Sequence, residues 1–189
     1  MRYAILMLVA GLPFLHGCAP LVVGGAAAAG GFLVGEDRRT VGTLAEDQRI
    51  EGRASDRIGD ALKGNIHVNV TSYNGAVLLT GEVPDAAARE EAERITKAVE
   101  KVRVVYNELT VGAIAPLSSR ANDTVITSKV KARFVDGRKF SPVHVKVVTE
   151  NSVVYLLGLV KKQEANDATD IARTTSGVRK VVRVFEYTD

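Results

Sequence analysis

One pattern occurs twice in this chain, and that repeat restricts its fold more than any other feature. Residues 66 to 83 read "IHVNVTSYNGAVLLTGEV" and residues 143 to 160 read "VHVKVVTENSVVYLLGLV". His67 matches His144, Asn74 matches Asn151, and Gly81 matches Gly158. Further on, "VRVVYNEL" from Val102 matches "VRKVVRVF" from Val178. A solenoid needs at least three units to bury its faces. Two copies at this length imply two similar domains.

Each copy carries the same order of elements. Ala54, Ile58, Ala61 and Leu62 recur at helical spacing in the first copy, and Ile126, Val130 and Phe134 do so in the second. Asn122 or Asp123 is the expected N-cap of the second-copy helix. Two strands follow. Ile66, Val68 and Val70 alternate with His67 and Asn69, and Val143, Val145 and Val147 alternate with His144 and Lys146. Asn74-Gly75 is a strong hairpin signal because both residues tolerate positive φ, and Asn151-Ser152 is its weaker counterpart. A second helix starts at Pro84-Asp85 and buries Ala88, Ala92, Ile95 and Val99. Its equivalent buries Ala168, Ile171 and Thr175, with Gly177 as its C-terminal cap. A last strand closes each unit, over 102–111 and then 178–187. The expected fold class is α+β: two tandem domains, each helix-strand-strand-helix-strand, with a three-stranded mixed sheet on two helices. Units this small are marginal alone, so the pair is expected to pack together.

The first 45 residues read differently. Arg2 precedes the apolar run "AILMLVAGLPFL", which has the character of a secretory signal and is too short to span a bilayer. Leu15, His16, Gly17 and Cys18 follow. This resembles the lipobox of bacterial lipoproteins, with Gly17 as the small residue before the cut. The resemblance implies cleavage after residue 17 and acyl chains on Cys18, the only cysteine of the chain. Several chains on one residue hold a protein firmly to a bilayer, whereas one gives marginal binding. Ala19 stands where an aspartate would signal inner-membrane retention, which implies the outer membrane. The glycine-rich segment over 24–35 lacks the Gly-Lys-Ser/Thr of a phosphate loop and reads as a tether. The expected organisation is a signal over 1–17, a lipidated tether over 18–45, domains over 46–112 and 120–189, and a linker over 113–119 broken by Pro116.

Charge divides unevenly between the copies. From Glu46 to Gly112 there are 9 Lys/Arg and 12 Asp/Glu, a net −3. From Ala113 to Asp189 there are 13 and 8, a net +5. A basic half points to an anionic partner. On the helix of the second copy, Val125, Lys129 and Arg133 form a stripe beside the core residues, and Lys131 lies elsewhere on the exposed side. Cations beside an apolar residue suit a bilayer surface. The first-copy helix interleaves Arg53 and Arg57 with Glu51, Asp56 and Asp60, which disfavours anions.

The valine-rich hairpin, Gly81 and Gly158 late in the second strand, and the glycine-valine step at Gly177 resemble the BON domain of bacterial envelope proteins. Lys101 replaces that last glycine in the first copy. "DRRTVGT" at 37–43, "NVTSYNG" at 69–75, "VYNEL" at 105–109, "NDTVIT" at 122–127 and "VKVVTENS" at 145–152 resemble a narrower group, the dual-BON outer-membrane lipoproteins linked to division and envelope stress. The resemblance implies a non-enzymatic protein that binds anionic phospholipid through its second domain. It also implies support of outer-membrane integrity and of septal peptidoglycan processing. Val125 stands where the group has tryptophan.

The expected ligand surface is therefore Val125, Lys129, Lys131 and Arg133, facing an anionic phospholipid membrane. Envelope or division proteins are the other expected partners, and a tethered protein–protein adaptor is the alternative reading. No cofactor, metal or small-molecule substrate is expected, and no nucleic acid, since no reading motif is present. His67 and His144 read as exposed strand residues, without a nucleophile or metal-ligand cluster beside them.

Overall fold

A computed structural model describes residues 37–189. The leader over 1–17, Cys18 and the tether up to residue 36 lie outside the described residues. The first unit contains α1 (Val41–Ala61), β1 (His67–Tyr73), β2 (Ala76–Val83), α2 (Ala86–Lys97), β3 (Val104–Asn107) and β4 (Thr110–Val111). The second contains α3 (Leu117–Gly137), a 3-10 turn (Pro142–His144), β5 (Val145–Glu150), β6 (Val153–Val160), α4 (Lys162–Arg173) and β7 (Lys180–Tyr187). In each unit the middle strand pairs antiparallel with its hairpin neighbour and parallel with the strand after the helix. The helical crossover is what makes that last pairing parallel. Both units are thus the mixed sheet on two helices that the sequence predicts.

Alternation along the strands separates two faces. Val77, Leu79 and Val83 pack with Ile50, Ala54 and Ile58 of α1 and with Ala88, Ala92 and Ile95 of α2. Val147, Val154, Leu156 and Val160 pack with Ile126, Val130 and Phe134 of α3 and with Ala165, Ala168 and Ala172 of α4. The opposite faces of the two sheets meet each other: Tyr73 and Leu78 join Tyr155, Leu157 and Val184 in one buried cluster. Leu78 and Leu157 are fully buried there. Burying one such side chain contributes about 1.5–3 kcal/mol, so neither domain can shed the other cheaply.

Polar groups ring this contact. Lys146 Nζ donates to Glu51 Oε1 at 2.8 Å, Tyr73 Oη donates to the His144 carbonyl at 3.3 Å, and Arg103 pairs with Glu186. Residues 37–45, expected in the tether, belong to the folded structure. Thr40 caps α1, the Arg39 guanidinium lies 3.7 Å from the centre of the Tyr73 ring, and Arg38 makes a bidentate bond to Glu164 of the second unit at 2.7 and 2.9 Å. Arg38 holds the Glu164 carboxyl below the usual range, chiefly through that hydrogen bond.

Both hairpin turns have the positive φ that their sequences predict: 53° at Asn74 and 73° at Gly75, then 51° at Asn151 and 62° at Ser152. Each turn is held from below by a helix carboxylate. Asp47 accepts from the backbone N–H groups of Asn74 and Gly75 and from Ser72 Oγ. Asp123 accepts from the N–H groups of Asn151 and Ser152.

Several local expectations need correction. Asn122 and Asp123 do not cap α3. That helix starts at Leu117 with Pro116 as its N-cap residue, and Asp123 is committed to the hairpin instead. His144 ends a 3-10 turn, and β5 starts one residue later, because Pro142 cannot donate to a ladder. Ala61 is exposed at the end of α1 rather than packed. The last strand of the first unit is broken into β3 and β4. Asn107 causes the break: its side-chain amide bonds to the Arg89 carbonyl and to Glu93, its Oδ1 accepts from the Leu109 N–H, and Leu109 turns into the core. Gly177 has φ 95° but lies beyond Thr174, the actual cap residue of α4. Lys101, at the position matching Gly177, has φ 70°, so the replacement keeps the left-handed turn without glycine.

Candidate functional site

α3 positions the surface that the sequence singles out. Its helical spacing places Ile126, Val130 and Phe134 in the core and leaves a flank of Val125, Lys129 and Arg133 in solvent. Val125 is 50 % exposed, a large fraction for an apolar side chain on a packed helix. Arg133 is anchored: its Nη1 donates to the Ile171 carbonyl and to Thr175 Oγ1, each at 2.9 Å. That fixes the guanidinium at the α3–α4 edge. Among the described residues, neither Lys129 nor Lys131 has a carboxylate within ion-pair distance.

The structure brings together three of the four expected residues. Lys131 is on the opposite flank of α3, where two cavities open. One, of about 470 Å³, lies between α3 and the first domain, with Arg120, Thr127, Lys131 and Glu150 among its walls together with His67 and Asn69. The other, of about 600 Å³, is more apolar. Phe134, Val135, Pro142 and Val143 line it, with Arg39, Lys131 and Lys146 at its rim. Val135 is 60 % exposed beside it. α3 therefore has two unlike flanks: an open basic-apolar stripe and a groove edge.

The matching helix of the first domain differs in charge pairing. Arg49 pairs with Glu46 at 3.2 Å, Arg53 reaches Glu100 at 3.8 Å, and Arg57 donates to the Ala98 carbonyl at 3.3 Å. Its arginines are met within the domain, as Arg133 is at the α3–α4 edge, whereas among the described residues Lys129 and Lys131 of α3 have no carboxylate partner.

The reading of the histidines is corrected here. His67 is not a free strand residue: its Nδ1 lies 3.1 Å from Glu82 Oε2, and Asn69 Nδ2 is 3.5 Å from its Nε2. Glu82 is 2 % exposed and Glu150, from the second domain, 8 %. Asn69 Nδ2 donates to Glu150 at 2.9 Å, and Asn151 Nδ2 to Glu82 at 3.4 Å. Burial pushes the Glu150 carboxyl above its ordinary value, against the opposing hydrogen bond from Asn69. No sequence motif joins these residues. Only the alternation that puts His67 and Glu82 on one strand face hinted at their meeting. His144 also lies beside a carboxylate, with its Nδ1 3.7 Å from Glu164.

The comparisons agree with this architecture. The profile of the BON domain family matches residues 46–113 and again 122–189. The chain is 44 % identical over 179 residues to the outer membrane lipoprotein DolP of Haemophilus influenzae, covering 93 % of this chain and 91 % of that one. It is 35 % identical over 153 residues to a 21 kDa hemolysin of Actinobacillus pleuropneumoniae, covering 80 % and 79 %. It is 32 % identical over 157 residues to the osmotically-inducible protein Y of Escherichia coli, covering 80 % and 77 %. With two matched domains and a homologue aligned along nearly its whole length, the chain belongs to the BON-domain family, as a two-domain relative of the outer-membrane lipoproteins.

Proposed function

We propose that this protein is a non-enzymatic lipoprotein of the outer membrane, anchored through Cys18 and facing the periplasm, whose second domain binds anionic phospholipid through α3. The observation that carries the proposal is the exposed stripe of Val125, Lys129 and Arg133, with no carboxylate among the described residues paired to Lys129 and with Arg133 fixed at the edge of the domain. Lysine and arginine meet lipid phosphates while the valine enters the headgroup boundary. Lys131 reaches the surface from the groove side and adds to the positive field. Similarity to the outer membrane lipoprotein DolP of Haemophilus influenzae supports the location. We infer support of membrane integrity and of septal peptidoglycan processing from the family resemblance: a lipid-anchored module recruited to one patch of bilayer raises the local concentration of whatever it carries.

Each basic residue near an anionic surface contributes about 1 kcal/mol. Reversing Lys129 and Arg133 removes two attractions and adds two repulsions, about 4 kcal/mol or roughly a thousandfold in affinity. Vesicles of phosphatidylglycerol are therefore expected to co-sediment the soluble, unacylated fragment over 37–189 at low salt and to lose its Lys129→Glu/Arg133→Glu variant. Circular dichroism melts of both proteins check that the fold is kept. Wild-type protein that fails to bind at low salt leaves the adaptor reading in place: the basic flank would then meet a protein.

A further inference from the structure

The described residues contain one cluster that the lipid surface does not use. His67 at the start of β1, Glu82 near the end of β2 and Glu150 at the end of β5 converge between the two domains, and their ligand atoms lie within 4.8 Å of one another. The first two belong to one domain and the third to the other. His67 and Glu82 are register partners across the β1–β2 ladder, so backbone pairing fixes their approach at 3.1 Å.

Three features distinguish this cluster from a patch of surface charge. Both carboxylates are more than nine-tenths buried, and two buried carboxylates need compensating positive charge. Among the described residues, the only basic side chain in direct contact is the His67 imidazole, which supplies at most one. Each ligand is held by a second group: Asn69 bonds Glu150 and approaches His67, and Asn151 bonds Glu82. Metal ligands are characteristically oriented in this way. Finally, Thr80 is 1 % exposed, and its hydroxyl has no hydrogen-bond partner. Thr80 shares the inter-domain face of β2 with Glu82 and is the register partner of Asn69. A buried hydroxyl without a partner on that face marks a place where a further polar group belongs.

We propose that His67, Glu82 and Glu150 form a divalent transition-metal site, of the zinc class, that clamps the two domains together. An imidazole with two carboxylates suits zinc and disfavours magnesium or calcium, which take oxygen ligands. Zinc binds nitrogen and oxygen at about 2.0–2.2 Å, which places neighbouring ligand atoms of a tetrahedral site roughly 3.4 Å apart. The His67–Glu82 separation already meets that spacing, and Glu150 closes on it by rotating its side chain. Three protein ligands leave a fourth position open. His67 and Glu150 also line the 470 Å³ cavity, so that position faces a space that admits water. Arg120 and Lys131 also line this cavity, which makes it suitable for an anion as well.

The test uses the full chain purified from membranes in detergent without a histidine tag, titrated with zinc chloride alone. Calorimetry is expected to show one equivalent of zinc bound per chain, and the melting temperature is expected to rise by about 5 °C or more at a hundredfold excess over Kd. Glu82→Gln, Glu150→Gln and His67→Gln should each weaken the affinity by at least roughly 10- to 100-fold. At Glu82 and Glu150 glutamine keeps the shape and removes the charge, so the metal-free melting temperatures of those two variants should stay level or rise. Should one variant fail to fold, zinc-edge X-ray absorption on the wild type reads the ligands directly: one imidazole and oxygen neighbours are expected, with no sulfur. Zinc affinity unchanged in the three variants, sulfur ligation from Cys18, or no zinc bound at all would overturn the site. None of these results bears on vesicle binding, which depends on the other flank of α3.

Discussion

Replacing Gly81 with alanine is expected to destabilise the protein by about 3–5 kcal/mol, the largest loss from any single added methyl group in the first domain. A Cβ at this position would stand 2.0 Å from the His67 carbonyl oxygen and 2.9 Å from its carbon. The obstacle is backbone in the paired strand, so it cannot rotate away. Gly81 also has φ 114°, which L side chains rarely adopt. Two penalties therefore add. Gly158, its counterpart, shows only the first: a Cβ there would lie 2.3 Å from the His144 carbonyl, and its φ is not in the left-handed region. Gly158→Ala is thus expected to cost less than Gly81→Ala, by about 1–2 kcal/mol. Urea melts of the two variants measure the difference. Equal losses would mean that the conformational term is absent. Since Gly81 abuts the strand residue that carries His67, its substitution should also disturb the inter-domain cluster, which a melt in the presence of zinc would register.

Asp47→Ala is expected to cost about 3–5 kcal/mol, far more than its place in the middle of a helix suggests. Asp47 is 4 % exposed and serves as the acceptor for two turn N–H groups and the Ser72 hydroxyl, and it pairs with Arg39 at 3.1 Å. Removing the carboxylate leaves those donors buried and unmatched, and leaves Arg39 with one partner fewer. Asp47→Asn should recover only part of the loss, because an amide has one acceptor oxygen where the carboxylate has two. Thermal melts of Asp47→Ala and Asp47→Asn decide this. A drop of under 1 kcal/mol for the alanine variant would show that the turn holds itself.

These two cases also show what a reader of the sequence can and cannot see. The Asn74-Gly75 turn is legible because its φ requirement is written in residue type. The hydrophobic faces are legible because Val77, Leu79 and Val83 repeat at the period of a strand and Ile50, Ala54 and Ile58 at that of a helix. Asp47 and Asp123 are not. A carboxylate within a helix reads as surface charge, and in α3 Asp123 reads as a cap, because its true partners are brought to it only by tertiary packing. The exposed stripe over Val125, Lys129 and Arg133 follows from helical spacing, whereas Lys131 shows why spacing alone is insufficient: it is exposed, but beside a groove. His67, Glu82 and Glu150 are invisible in sequence because three strands from two domains must meet before they become neighbours. The inter-domain face itself was hidden in the same way. Leu78, Tyr155 and Leu157 alternate as solvent-facing residues would, and only the docking of the second sheet accounts for their apolar character.

The burial of Tyr155 adds a check on that docking. Its hydroxyl is pushed up to about 12, first by burial, then by Glu108 across the contact and by Glu150 of its own domain. The two domains therefore form one unit through a shared buried face.

The central claim is that α3 is the part of the protein that touches lipid. It is tested most directly by nuclear magnetic resonance of the protein bound to phosphatidylglycerol micelles that carry a spin-labelled headgroup. The account predicts that amide signals of Val125, Lys129 and Arg133 broaden first, and that α1 of the first domain stays sharp. Broadening centred on α1, or spread evenly over both domains, would contradict it.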